Sequence, residues 1–337
     1  MGTANLASRM YRTRLAQLAT VLATALFAVP APASADWTGP CVSGTTAPTC
    51  HFWRGKAKFV DDGDTIDVKL PTSTGKRKVV RVRVTGIQAM EQSVYTSHPS
   101  RRRGECHALP ATARLERLIR AGHGSIRLAA QNPDSSTGGR LRRSAATKIG
   151  GRWHDLGHAL IADGHALWLP SSVEWAWNYT YNILSQQAAA AHVELWNTTA
   201  CGEGPSQASP LQVTVRYDAR GNDFNNINGE RVRIDNLDLV SAVPLDGWWV
   251  RDSALRRFRF PSWAVIPPGG SVTVRVGIGT DTDDTFYWGL ERPAFENPRP
   301  NGHGMGDGAY LFDPQGDLRA WTVYPCYVAC VPSPVMP

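Results

Sequence analysis

The chain has 337 residues and a formal net charge of +7. Three of its arginines, Arg9, Arg12 and Arg14, precede an apolar run from Leu15 to Val29 that is too short to span a bilayer comfortably, and no later segment approaches transmembrane length. No Cys-x-x-Cys pair exists, which argues against zinc and leaves the six cysteines to be read as disulfides.

Ala33-Ser34-Ala35 has the small residues of a signal-peptide cleavage site. Residues 1–35 are therefore read as a Sec-type signal, and the mature chain as an exported, secreted protein starting at Asp36. Removing the three arginines leaves +7 − 3 = +4. Residues 36–203 hold 21 basic and 14 acidic side chains, while 204–337 hold 12 and 15. The first half is thus the one suited to a polyanion. Proximity pairs Cys41 with Cys50 and Cys326 with Cys330, leaving Cys106 with Cys201; sequence alone leaves this connectivity open.

Residues 36–52 form an irregular, disulfide-bearing leader. Lys56–Val60 and Ile66–Leu70 read as strands on either side of an acidic turn, and the alternation from Val79 to Ile87 predicts a third strand. A polar loop over 92–107 carries Arg101, Arg102 and Arg103. Leu115, Leu118 and Ile119 share one face of a helix predicted over Pro110–Ala121, which Gly122 stops. Strands are predicted over Ser125–Ala130 and Leu141–Ile149, and helices over Trp153–Asp163 and Ser172–Trp196. Five short strands with appended helices fit a small closed barrel such as the OB-fold. A linker at 204–209 separates this region (53–203) from a second domain at 210–326 and a tail at 327–337. Seven strand-like segments there, including Leu211–Tyr217, Arg231–Leu237 and Ser271–Gly277, predict a β-sandwich.

Chemistry is concentrated in the first domain. Asp61-Asp62-Gly63-Asp64-Thr65 is an acidic turn beside Arg81-Val82-Arg83-Val84-Thr85-Gly86-Ile87, with Glu91 beyond. Carboxylates suit a hard cation, which takes oxygen ligands. Guanidinium groups fork onto phosphate oxygens. A glutamate past both could activate water. The set suggests phosphodiester hydrolysis. Arg81 reads as an ordinary surface arginine. The Arg101–Arg103 run suits either a nucleic-acid backbone or solvent. His154 and His158, four apart on a predicted helix, lack a third ligand and read as a surface pair.

These motifs carry a resemblance. Asp62-Gly63-Asp64-Thr65, the Arg83-x-x-Gly86-Ile87-x-Ala89-x-Glu91 pattern, Gly138-Gly139-Arg140 and Ile161-x-x-Gly164-His165-Ala166-Leu167-Trp168 resemble the staphylococcal-nuclease (thermonuclease) family over roughly 53–197. The resemblance implies an α+β OB-fold barrel with appended helices. It also implies Ca²⁺ or another divalent ion at Asp64, Gln88 and the Ala89 carbonyl, a phosphate clamp of Arg83 and Arg140, Glu91 as the base, and cleavage of the 5′ P–O bond. Two positions depart from the family: an aspartate ligand falls at Gln88, and a proline before the glutamate falls at Met90. An amide oxygen still ligates Ca²⁺ but carries no charge, and losing the proline loosens the loop that aims Glu91.

The second half looks like a lamin-tail domain. Its matching pieces are Gly229 to Asn236, Leu245-Asp246-Gly247-Trp248, Arg251-Asp252, Phe260-Pro261 and Pro268-Gly269-Gly270-Ser271-Val272. The resemblance implies an all-β immunoglobulin-like sandwich.

The expected protein is a monomeric, exported, divalent-dependent endonuclease acting on DNA or RNA with little sequence choice. The alternative is a catalytically attenuated nucleic-acid-binding protein. The second domain is expected to engage a cell-envelope or protein partner and to be dispensable for turnover on short substrates.

Overall fold

A computed structural model describes residues 35–42, 48–71, 76–202, 209–298 and 303–328. The expected signal segment, most of the 204–209 linker, and Cys330 with its expected bond to Cys326 lie outside the described residues. No helix among them is long and apolar enough to cross a membrane.

Alternation builds the first domain. Strands β1 (Trp37–Pro40), β2 (Thr49–Val60), β3 (Thr65–Pro71) and β4 (Arg77–Val84) run antiparallel in sequence order. Helix α1 (Ala108–Ala121) follows, then β5 (Ser125–Ala130) and β6 (Arg140–Ile149). β4 pairs with β6 in parallel, β6 with β5, and β5 returns to β2, which closes a five-stranded barrel. Ile66, Val68 and Leu70 of β3 and Val80, Val82 and Val84 of β4 are buried, as period-two patterning requires. Leu115, Leu118 and Ile119 of α1 cap that same core.

The segment 36–52, expected to be irregular, instead holds β1 and the start of β2, paired from Trp37 opposite Phe52 to Pro40 opposite Thr49. Two helix expectations are also corrected. The segment Trp153–Asp163 begins as strand β7 (Arg152–Asp155), and the helix proper, α2, spans Leu156–Ala162. Gly150 and Gly151 both take positive φ (55° and 84°), the two-residue turn that favours a hairpin. The Asp155 carboxylate then accepts the His158 amide at 3.1 Å and starts α2. His154 and His158 therefore lie on different elements. In 172–196 the α-helix, α3, is confined to Asn178–Ala190. It ends where His192 and Glu194 adopt left-handed backbone.

The second domain is a sandwich of two four-stranded sheets. One contains β8 (Leu211–Arg216), β9 (Arg231–Asn236), β12 (Ser271–Arg275) and β13 (Thr285–Tyr287). The other contains β10 (Trp249–Asp252), β11 (Arg257–Arg259), β14 (Asp307–Phe312) and β15 (Leu318–Tyr324). Val213, Val232, Ile234, Val272, Val274, Phe286 and Leu311 are among the residues of its interior.

The expected disulfides Cys41–Cys50 and Cys106–Cys201 are both formed. The two domains share a core. Met90, Ala108, Leu167, Ala188, Ala189, Leu195 and Trp196 of the first pack with Trp249, Tyr310, Phe312, Leu318 and Trp321 of the second in a common buried cluster. Trp196 meets Trp321 edge-on at 5.2 Å. Gln186 of α3 donates to the Pro325 carbonyl at 2.9 Å and accepts the Tyr327 amide at 2.8 Å. The backbone amide of Cys201 donates to Asp317 at 2.9 Å. Large aromatic surfaces buried on both sides make each domain part of the other's core.

Calorimetry of residues 36–337 is therefore expected to show one unfolding transition, and Phe312→Ala to lower it by the ~3–5 kcal/mol typical of an emptied aromatic site. Two separable transitions would show that the shared cluster does not couple the domains. A second expectation concerns pH. Burial raises the Glu230 carboxyl to about 7, against two backbone amides that pull it down. A carboxyl raised on folding costs stability as pH rises from its ordinary value, 4.5, through about 7. The urea midpoint should fall over that range, and Glu230→Gln should flatten the slope without abolishing it, because burial raises Asp307 likewise.

Candidate functional site

Asp64 closes the acidic turn and is 1% exposed. Gly63 lies so close to helix α1 that a Cβ there would stand 2.7 Å from the side chains of both Ala111 and Ala89, which explains a glycine between the two aspartates. The Asp62 carboxylate accepts the Asp64 amide at 3.0 Å and fixes the turn. On the next strand Arg83 stands opposite Thr65. Its guanidinium donates to Asp64 Oδ1 and to Gln88 Oε1. Asp64 Oδ2 accepts the Ala89 amide at 2.8 Å, and Thr65 Oγ1 donates to Oδ1 at 3.1 Å.

The network continues to both rims. Gln88 Nε2 donates to Glu91 Oε1 at 2.8 Å and to the Ala89 carbonyl at 3.0 Å. Arg140, following the Gly138-Gly139 turn, reaches Thr65 Oγ1 at 3.4 Å. Glu91 and Arg140 are partly exposed, whereas Asp64, Arg83, Gln88 and Ala89 are buried. Asp64, Arg83, Gln88, Ala89, Glu91 and Arg140, spread over 77 positions (140 − 64 + 1), thus form one polar chain. Burial pushes the Asp64 carboxyl upward; the Arg83 guanidinium opposes this, and the Asp62 carboxylate adds to it.

For a metal, the donors are right in kind and thin in charge. Asp64 supplies a carboxylate, Gln88 an amide oxygen and Ala89 a carbonyl, all oxygens that suit a hard cation. Only one is anionic, and Arg83 already engages the Asp64 and Gln88 oxygens. The acidic turn does not gather three carboxylates. Among the described residues the one convergent set of three is Cys106, His107 and Cys201, whose two sulfurs are joined to each other.

Arg81 is the surface arginine expected, forked onto Asp67 at 2.9 and 3.1 Å. The basic loop is less uniform than its sequence. Arg101 is exposed, but Arg102 is 5% exposed and donates to Glu116 at 2.8 Å and to the Thr96 carbonyl at 2.9 Å. Arg103 donates to the carbonyls of Ser100 and Arg102. Arg102 therefore anchors the loop and has no free fork for a phosphate.

Two neighbours escaped the sequence reading. Tyr95 places its hydroxyl 3.4 Å from Glu91 Oε2; burial, with the Glu91 charge next, pushes it up to about 12, so it remains a proton donor. Glu105 accepts the Glu91 amide at 3.1 Å and gives its own amide to the Glu91 carbonyl at 2.9 Å. Neither lies in a periodic pattern or motif, and only the fold brings them to Glu91.

Residues 205–326 match the family model of the Lamin Tail Domain. No curated protein matches the chain. The match covers the sandwich, including β10 and β11, the strands behind the loop that bears Glu91.

Arg102→Ala should cost ~1–3 kcal/mol in chemical denaturation, since it removes a buried guanidinium together with its bonds to Glu116 and to the Thr96 carbonyl, while Arg101→Ala stays within about ±0.5 kcal/mol. In nucleic-acid binding the salt dependence should change for Arg101→Ala and not for Arg102→Ala. The reverse pattern would return Arg102 to the phosphate-binding set.

Proposed function

We propose that the protein is an exported, divalent-metal-dependent nuclease of the thermonuclease type, built on an OB-like barrel and hydrolysing DNA or RNA with little sequence choice. The observation that carries this reading is the single polar chain from Glu91 through Gln88, Arg83 and Asp64 to Arg140 at one end of the barrel. A base, a buried guanidinium, an oxygen-donor set and a second arginine at the rim match the needs of phosphodiester hydrolysis and of few other reactions. The two formed disulfides fit an oxidising, extracellular setting.

In this reading Glu91, partly exposed at the rim, takes a proton from the attacking water. Tyr95 and Gln88 hold its two carboxylate oxygens and so fix the face it presents. Arg140 meets the scissile phosphate first. Arg83 stabilises charge on the non-bridging oxygens once the phosphate draws it from Gln88. Each such donor is worth a few kcal/mol when charge develops against it in a dry site. Asp64, Gln88 and the Ala89 carbonyl would hold a divalent ion, Ca²⁺ by the chemistry of the donors, which lends positive charge to the same phosphate.

A second reading has its own observation. Gln88 replaces a carboxylate, and Arg83 is committed to Asp64 and Gln88. A domain that grips a nucleic-acid backbone without cleaving it would tolerate both features.

The experiment is a Ca²⁺ titration of cleavage on single-stranded DNA with residues 36–337, Glu91→Gln and Gln88→Asp. Cleavage should rise with Ca²⁺ and fall ~10²–10⁴-fold in Glu91→Gln, the range of a lost general base. Gln88→Asp should lower the Ca²⁺ needed for half-maximal cleavage, because it adds a negative ligand. Wild-type-like turnover in Glu91→Gln would remove Glu91 from the mechanism. Retained binding without cleavage at any Ca²⁺ concentration would favour the second reading.

A further inference from the structure

The loop that bears Glu91 has little stiffness of its own. It runs from the two-residue strand Ile87–Gln88 through Ala89 and Met90 to the short strand Gln92–Val94. No proline restrains position 90. What lies behind this loop is the sandwich. Met90 is 2% exposed and packs in the cluster that holds Trp249, Tyr310 and Phe312. The buried Arg251 guanidinium stands 3.9 Å from the Met90 sulfur.

One ion pair crosses from β11 to Glu105, which is hydrogen-bonded to this loop. Arg257 donates to Glu105 Oε1 at 2.6 Å, and Glu105 Oε2 accepts the Glu91 backbone amide at 3.1 Å. The guanidinium is itself fixed, lying over the Trp249 ring at 3.8 Å, and Trp249 stacks on Phe312 at 4.1 Å. Next to Glu105, Cys106 is bonded to Cys201, whose amide donates to Asp317 of the sandwich. Glu105 is thus tied to the second domain directly through Arg257 and indirectly through Cys106, Cys201 and Asp317. Its charge would otherwise sit beside that of Glu91; Arg257 offsets it and leaves an oriented acceptor for the Glu91 amide.

We propose that the lamin-tail sandwich is a built-in support of the candidate active site, in which Arg257 positions Glu91 through Glu105 and Met90 seats the loop in the shared core. Arg257 is a positioning residue and touches no substrate. As a consequence for the nuclease reading, on which it rests, the second domain is required for turnover even on substrates too short to reach it. The Met90 departure follows from the same arrangement: a flexible apolar side chain that plugs a second domain takes over the restraint a proline would supply within the loop.

The test compares residues 36–337 as wild type, Arg257→Ala and Arg257→Lys by three readouts. Hydrogen exchange over peptides spanning 88–95 reports the Glu91 amide directly, whether or not the protein cleaves anything. Steady-state kinetics on a short single-stranded DNA gives kcat and KM separately. Thermal unfolding and exchange in sandwich peptides report general damage. Arg257→Ala is expected to speed exchange at 88–95 by ~10-fold or more with sandwich peptides unchanged. It should also lower kcat ~10-fold or more at similar KM, the signature of a misaimed base. Arg257→Lys, which keeps the charge and loses the fork, should recover part of both. Unchanged exchange at 88–95 in Arg257→Ala overturns the proposal, as does exchange that rises equally throughout the sandwich. If wild type shows no cleavage, the nuclease reading fails, and the exchange arm alone decides whether the sandwich orders this loop.

Discussion

A single buried carboxylate holds the site together. Asp64 accepts from the Arg83 guanidinium, the Ala89 amide and the Thr65 hydroxyl, so it joins the acidic turn, the end of β4 and the loop toward Glu91. A carboxylate taken out of water is costly unless its lone pairs are filled, and here backbone and side-chain donors fill them. Gly63 permits this by letting the turn press against Ala89 and Ala111. The barrel supplies the rest: β3 and β4 in antiparallel register put Thr65 across from Arg83, and the parallel pairing of β4 with β6 places Arg142 beside Arg83, two residues from Arg140 at the strand's start.

The same carboxylate sets the tension between the two functional readings. In the described state Arg83 is satisfied by protein oxygens. A phosphate must offer that guanidinium better partners than Asp64 and Gln88, and a cation must share the Asp64 oxygens with it. Both become easier if they arrive together, since a cation replaces the positive charge at Asp64 while the phosphate receives Arg83.

The second domain changes the meaning of the first. Met90 and Trp196 lie at the edge of the first domain and meet the aromatic side chains of the second. Against Trp249, Tyr310, Phe312 and Trp321 they become core. Several directional contacts accompany that packing, from Gln186 on the Pro325 carbonyl to Arg257 on Glu105. A tether would not need such a surface. The arrangement is that of one folded unit whose site loop is walled by its neighbour.

Much of this was legible in the residues. Period-two alternation located the barrel strands because one face of each is buried, and the spacing of Leu115, Leu118 and Ile119 located α1 for the same reason. Local proximity sufficed for Cys41–Cys50. Short motifs named Asp64, Arg83, Glu91 and Arg140, since chemistry restricts residue type where a site must bind charge. The Gly150-Gly151 hairpin was also in the sequence, in a pair able to adopt positive φ, but an apolar helical spacing beyond it hid the strand. What tertiary structure alone decided depends on distant partners. Arg102 and Arg101 are identical in sequence terms; one faces Glu116 and the other faces water. Glu105 and Tyr95 carry no signal until the loop folds back on Glu91. The shared core joins Met90 to Phe312 across more than 200 positions, and no local pattern encodes a contact whose two halves are each ordinary apolar residues in their own segments.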